Sequence, residues 1–217
     1  MSEPSTFAEA IPAGAVHLPG DLTLPGGARG VVAFAHGSGS SRLSPRNVQV
    51  ARRLNDSGLA TLLFDLLTPA ETEDRRNVFD IPLLADRLLA ATRWLHGRPD
   101  TAGLSLGYFG ASTGAAAALW AAAETDSGVG AVVSRGGRPD LAEPRLALVD
   151  AATLLIVGGA DELVLELNQQ ALEALRCERE LVVVPGATHL FEEPGALERV
   201  TELASSWFLE HLDSPRK

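Results

Sequence analysis

The chain has 217 residues, 46% of them hydrophobic, with a formal net charge of −10 and a pI near 4.9. That length and apolar content suit one domain with a sizeable core and exclude a disordered chain or a small stapled scaffold. The acidic balance argues against a nucleic-acid partner, because a phosphate backbone calls for a basic face.

The single cysteine, Cys177, cannot close an internal disulfide and fits a reducing compartment. The start, MSEPSTFAEAIPAG, lacks the basic residues and apolar run of a secretory signal. No stretch reaches the roughly 18 consecutive apolar residues of a membrane helix. The expectation is a cytoplasmic protein, monomer or homodimer, without membrane contact.

Residues 1–14 read as a loose lead-in to a single domain over 15–217. "AVHLPGDLTLP" (15–25) alternates polar and apolar residues around Pro-Gly-Asp and predicts a short hairpin. "GVVAFAHG" (30–37) is a continuous apolar run, as in a strand buried on both faces. A helix follows from Pro45 to Asn55, with Pro45 in its first turn. "LATLLFD" (59–65) predicts a second buried strand, and "TPAETEDRRNVFD" a long charged connection. Asp80 caps a helix on which Leu84, Leu88, Ala91 and Leu95 recur at helical spacing. Strand "LSLGYF" precedes a helix over 115–123. Strands over 130–137, 152–159 and 180–186 and helices over 164–175 and 197–211 complete the chain.

Continuous apolar strands alternating with helices imply a doubly wound α/β domain, mostly parallel, with an antiparallel hairpin at its start. Functional groups in such sheets stand at the carboxyl ends of the strands. Those ends carry His36-Gly37-Ser38-Gly39, Asp65, Gly110-Ala-Ser112-Thr-Gly114, Ser134-Arg135-Gly136, Gly158-Gly-Ala-Asp161 and Gly186-Ala-Thr-His189. A serine, an acid and a histidine therefore come in the order Ser, acid, His.

A serine between two glycines on a strand-to-helix turn is the pattern of a nucleophile held on a strained elbow, with small neighbours where helix and strand meet. The alternative is a plain tight turn. Of the five histidines, only His189 and His211 follow the candidate acid, and His211 sits near the end of the last helix. His189 is the candidate base. Asp161 is preferred as its partner over the adjacent Glu162 and the distant Asp65; its other available role is capping the next helix. The Thr113 amide and one from the 37–39 loop, taken as Ser38, would bind an oxyanion. His36 ends a central strand beside that loop and reads as a positioning residue. His36, Gly37, Arg42 and Arg135 are candidate pocket residues. Arg42, Arg135 and Arg138 could meet an anionic substrate group, with pairing to nearby acids the favoured reading.

A dinucleotide-binding unit is the rival for Gly37-Ser-Gly39 and Asp65. Arg42 occupies the place of its third glycine, and the helix begins too late to reach a pyrophosphate. No phosphate-loop lysine motif and no zinc-type ligand spacing occurs, so neither cofactor nor metal is expected. A non-catalytic binding module of the same fold would be expected to lack a member of the Ser-acid-His set, and none is missing.

With Ser112, Asp161 and His189 in view, the chain resembles the α/β-hydrolases and, more narrowly, the dienelactone-hydrolase-like family, from about residue 15 onward. "HGSGSSRLSPRN", "FDIPLLADRLLAATRWL" and "VVSRGGRPDLA" resemble a subgroup sometimes joined to a phosphoribosyltransferase domain. No such domain is found in this sequence, so the resemblance implies a free-standing hydrolase. Dienelactone hydrolases use a cysteine nucleophile where this chain has Ser112. The resemblance thus implies serine hydrolysis of a small-molecule ester, with thioester or lactone hydrolysis as alternatives. About fifteen residues between the strands ending at 137 and beginning at 152 leave no room for a large cap, and the loop over 68–80 is the candidate for shaping the pocket.

Overall fold

The computed structural model describes residues 4–212; residues 1–3 and 213–217, the outer ends of the two expected ranges, lie outside them. One sheet holds eight strands: β1 (Ser5–Ala13), β2 (Val16–Leu24), β3 (Gly30–Ala35), β4 (Ala60–Phe64), β5 (Ser105–Ala111), β6 (Val129–Arg135), β7 (Ala152–Gly158) and β8 (Arg179–Val184). Their order is β1-β2-β4-β3-β5-β6-β7-β8. The β1/β2 and β2/β4 pairs are antiparallel and the others parallel. Strands β3, β5 and β7 are buried along their whole length, as their continuous apolar runs require.

Helices α1 (Pro45–Asp56) and α7 (Ala196–Leu212) cover one face, packing on Val32, Phe34, Phe109 and Val133. Helices α4 (Ile81–His96), α5 (Thr113–Ala122) and α6 (Glu162–Ala174) cover the other, over Val31, Leu62, Tyr108 and Val132. Asp80 caps α4 through the Leu83 amide at 3.0 Å, as its position before Pro82 predicts. Helix α5 is apolar on all sides, and it is enclosed by β5, α4 and a 3₁₀ segment over Pro139–Leu148. That 3₁₀ segment fills the connection between β6 and β7, so no cap domain is inserted there. The charged connection after β4 is not bare loop: it holds two single-turn helices, α2 (Pro69–Thr72) and α3 (Arg75–Val78). Thr68 and Glu71 form a reciprocal capping box on α2.

The N-terminal expectation needs correction. Residues 5–13 are not a loose lead-in but the edge strand β1, and the hairpin turns at Gly14 rather than within 15–25. Pro19 and Gly20 lie inside β2. Gly20 is small because a Cβ there would come 2.5 Å from Ile11 Cδ1 and 3.0 Å from Phe64 Cβ. It marks close packing and not a turn. The Pro19 carbonyl still serves the sheet, accepting from the Asp65 amide at 3.0 Å.

Candidate active site

The chain runs from β3 to β4 on one side and then crosses to β5 on the other. Successive connections therefore part at β3, and the carboxyl ends of β3 and β5 open a crevice between them. His36-Gly37-Ser38 leaves β3 there and Ser112 leaves β5.

Ser112 has φ 51° and ψ −122°, a region L-residues avoid. Such a conformation costs about 1–3 kcal/mol and persists only where its surroundings impose it. Here its N–H donates to the Arg135 carbonyl at 3.3 Å, and its own carbonyl accepts from Ala115 and Arg138, both at 3.1 Å. The turn also needs bare backbone. A Cβ on Gly114 would lie 2.1 Å from the Ala35 oxygen and 2.5 Å from the His36 oxygen, and one on Gly110 would lie 2.4 Å from Ala115 Cα. Ser112 occupies the capping position of α5 yet makes no side-chain cap bond, and it is half-buried between buried Ala111 and Thr113.

Asp161 and His189 follow β7 and β8. Their loops are stitched together by Gly159 N–H to the Val184 oxygen at 2.8 Å and Ala160 N–H to the Ala187 oxygen at 2.9 Å. His189 Nδ1 lies 2.7 Å from Asp161 Oδ2. Asp161 is also placed to cap α6, but its side chain makes no cap bond; it goes to His189. Glu162 is exposed in the first turn of α6. Asp65 is engaged elsewhere, accepting from the Arg42 amide at 2.7 Å and the Arg42 guanidinium at 2.8 Å. Asp21 takes the Nε of the same arginine at 3.2 Å.

His36 is tied at both ring nitrogens. Nε2 accepts from the Leu66 amide at 3.1 Å, which leaves the proton on Nδ1 to donate to the Gly37 oxygen at 3.0 Å. Burial pushes its pKa below the ordinary value, against smaller opposing effects of the Gly37 carbonyl and Asp65. A neutral imidazole thus fastens the end of β3 to the chain leaving β4. Gly37 in turn presses its backbone on the turn: a Cβ there would sit 3.0 Å from the Ala111 oxygen. The Ser38 amide, expected to face an oxyanion, donates here to the Thr113 hydroxyl at 2.8 Å. The Thr113 side chain thus has a role beyond the backbone N–H that the sequence assigns to it. The hydroxyl beside the serine, in a turn otherwise built of Gly and Ala, is the one signal for it.

A cavity of about 400 Å³ opens beside Thr113 and the 36–41 loop, walled by Leu67, Val78 and Leu84. The connection over 68–80 shapes it, through Pro69, Thr72 and Val78. Of the three arginines, Arg138 is paired with Asp140 through two contacts of 2.8 and 2.7 Å, and Arg42 with Asp65 and Asp21. Arg135 makes no ion pair among the described residues. Those residues also contain no group of three or more His, Cys, Asp or Glu able to hold a metal ion, and no helix long and apolar enough to cross a membrane.

A mostly parallel sheet of this order, with a serine on a strained turn between strand and helix, defines an α/β-hydrolase fold. More narrowly, the chain belongs to the dienelactone hydrolase family, whose model matches residues 21–211. It is 57% identical to a dienelactone hydrolase from Anabaena variabilis, whose crystal structure superposes with a TM-score of 0.95 over 97% of this chain and 100% of that one. It is 62% identical over 203 residues to a putative phosphoribosyl transferase of Mycobacterium tuberculosis. That match covers 94% of this chain and 46% of the relative, so the chain spans about half that protein's length. Est1E from Butyrivibrio proteoclasticus shares the fold at 18% identity, with a TM-score of 0.81.

Proposed function

We propose that the chain is a serine esterase acting on small or short-chain carboxylic esters. The observation that carries this is the 2.7 Å contact between His189 and Asp161, which follow the carboxyl ends of β8 and β7 as Ser112, on its strained turn, follows that of β5. Asp161 fixes the proton on Nδ1 of His189, so Nε2 is the acceptor for the Ser112 hydroxyl proton. The Ser112 oxygen bonds to the carbonyl carbon, and His189 passes the proton to the departing alkoxide as the C–O bond breaks. Water, deprotonated by His189, then cleaves the acyl-serine to the acid and free Ser112.

The tetrahedral oxyanion is met by the Thr113 amide, which belongs to the unpaired first turn of α5, with the helix N-terminus behind it. The second donor is the Ser38 amide, released when the Thr113 hydroxyl turns away. The apolar wall of Leu67, Val78 and Leu84 suits a short acyl chain. The 57% identity to a protein named as a dienelactone hydrolase supports a second reading, lactone opening by the same three residues. A series of p-nitrophenyl esters of rising chain length, run beside Ser112→Ala, tests the proposal. Wild-type turnover on the short esters should vanish in the variant, and an unchanged rate would remove Ser112 from the chemistry.

A further inference from the structure

Ser112 keeps its strained backbone only while neighbouring groups hold it there. Two peptide groups at the end of β6 do so. In the first, the Arg135 carbonyl accepts from the Ser112 N–H, and the Gly136 N–H donates to the Ile156 carbonyl of β7 at 2.8 Å. In the second, the Arg138 N–H donates to the Ser112 carbonyl at 3.1 Å, and the Gly137 carbonyl accepts from Nδ2 of Asn168 at 3.0 Å. Hydrogen bonds at the two ends of one peptide group polarise and strengthen each other. The first relay ties the turn to β7 and the second to α6. Asp161 lies between those two elements.

The connection passes as bare backbone through a narrow space. A Cβ on Gly137 would lie 2.0 Å from Ser134 Oγ and 2.7 Å from Ala115 Cβ, and one on Gly136 would lie 3.2 Å from the His189 oxygen. Asn168 is fully buried on α6. Its Nδ2 donates a second time, to the Val164 carbonyl one turn earlier, at 2.7 Å. Two carbonyl acceptors fix which end of the amide points at Gly137. Its Oδ1 is buried without a partner among the described residues. For packing alone leucine would fill a similar space without burying a lone carbonyl oxygen, so what the amide contributes is its pair of donors.

We infer that Asn168 is a positioning residue: through the Gly137–Arg138 peptide it holds the Ser112 turn in its strained conformation and ties that turn to the helix that begins at Asp161. The inference rests on the serine-esterase reading and adds to it a residue outside the cavity and outside the Ser112, Asp161 and His189 set. When the Asn168 donor is lost, the Gly137 carbonyl is left buried and the peptide is free to rotate. The Ser112 carbonyl then loses one of its two holders, and the turn relaxes away from the reactive geometry.

Asn168→Leu keeps the volume and removes both donors. Asn168→Asp keeps the shape and, as a carboxylate, sets acceptor against acceptor. Both are assayed well below their melting transitions. With p-nitrophenyl acetate, kcat should fall at least about tenfold in each near pH 8, with KM within about twofold, because a group displaced from the reacting geometry lowers turnover and not ground-state binding. The rate of Ser112 labelling by a fluorophosphonate should fall alongside kcat. A carboxyl buried against carbonyl oxygens protonates above its ordinary pKa and then donates one hydrogen bond, so the ratio of Asn168→Asp to wild-type labelling should climb between about pH 8 and 6. The ratio cancels the titration of His189, which both proteins share. Amide exchange reads the relay without turnover: the Arg138 N–H should exchange at least about tenfold faster in Asn168→Leu. Unchanged kcat and labelling in the folded variants, even with faster exchange, overturn the inference and leave ester hydrolysis standing. If Asn168→Leu does not fold, the pH dependence of the Asn168→Asp ratio decides, and a flat ratio overturns it. Wild-type protein that neither turns over ester nor takes label removes the esterase reading; faster Arg138 exchange in the variant would then leave the hold on the turn standing, and unchanged exchange would remove that too.

Discussion

Replacing Asp161 by Asn isolates the electrostatic part of the proposed machinery. The Asp161 carboxylate is 2.7 Å from His189 Nδ1 and largely buried. When His189 takes the serine proton it becomes an imidazolium about 4 Å, charge to charge, from that carboxylate. At an effective dielectric near 20 this attraction is about 4 kcal/mol. Losing it costs about three decades in rate. An amide at 161 can also donate its N–H to the imidazole, favouring the wrong tautomer and adding to the loss. Because Asp161 makes no cap bond to α6, the fold should hardly notice. The expected result is a fall of about 10³–10⁴ in kcat for p-nitrophenyl acetate, with the melting temperature within about 4 °C of wild type. Glu162→Gln, exposed and one residue along, is the control and should stay within about twofold. Retention of more than a tenth of the activity by Asp161→Asn, or the loss appearing in Glu162→Gln, would refute the electrostatic argument.

Three other outcomes are expected. Gly114→Ala pushes a methyl against two backbone oxygens at 2.1 and 2.5 Å, so strand and helix must part. It should cost about 3 kcal/mol or more, read as a drop of roughly 6–12 °C in thermal denaturation, whereas Gly103→Ala, with open space around it, should be near neutral. His36 has a folded-state pKa below its ordinary 6.5. The unfolded chain therefore binds the extra proton first, and the stability held above that pH is lost as pH falls through it. Melting curves between about pH 7.5 and 5.5 should show a steeper decline for wild type than for His36→Asn, and equal slopes would contradict the buried neutral imidazole. Val78→Phe fills part of the apolar wall and should reduce the butyrate-to-acetate ratio of kcat/KM by about tenfold, the scale on which a hydrophobic pocket reads methylene groups.

Much of the architecture is legible in the sequence because it is built from local signals. Continuous apolar runs mark β3, β5 and β7, and Asp80 with Pro82 marks the start of α4. The edge strand β1 is not legible. Ser5–Ala10 is almost wholly exposed, so it carries no apolar period, and its partner β2 contains a Pro-Gly pair that reads as a turn. Gly20 is explained only by Ile11 and Phe64, one across the hairpin and one on a strand distant in sequence. At the site, the order Ser112, Asp161, His189 is visible in the chain, and the strand ends give each residue its place. What no local pattern reveals is partnership. Arg42, Arg135 and Arg138 look alike in sequence, yet two of them find acids and the third is left with Phe191 and Arg46. The same holds for Ser38, whose amide is taken by a hydroxyl 75 residues away.

The central claim is that Ser112 is a nucleophile activated by His189. Reaction of the folded protein with a fluorophosphonate, followed by peptide mass analysis, tests it most directly. The account predicts one adduct, on Ser112, absent from Ser112→Ala and strongly slowed in His189→Ala. Folded wild-type protein that takes no label at Ser112, or labels equally fast without His189, would contradict it.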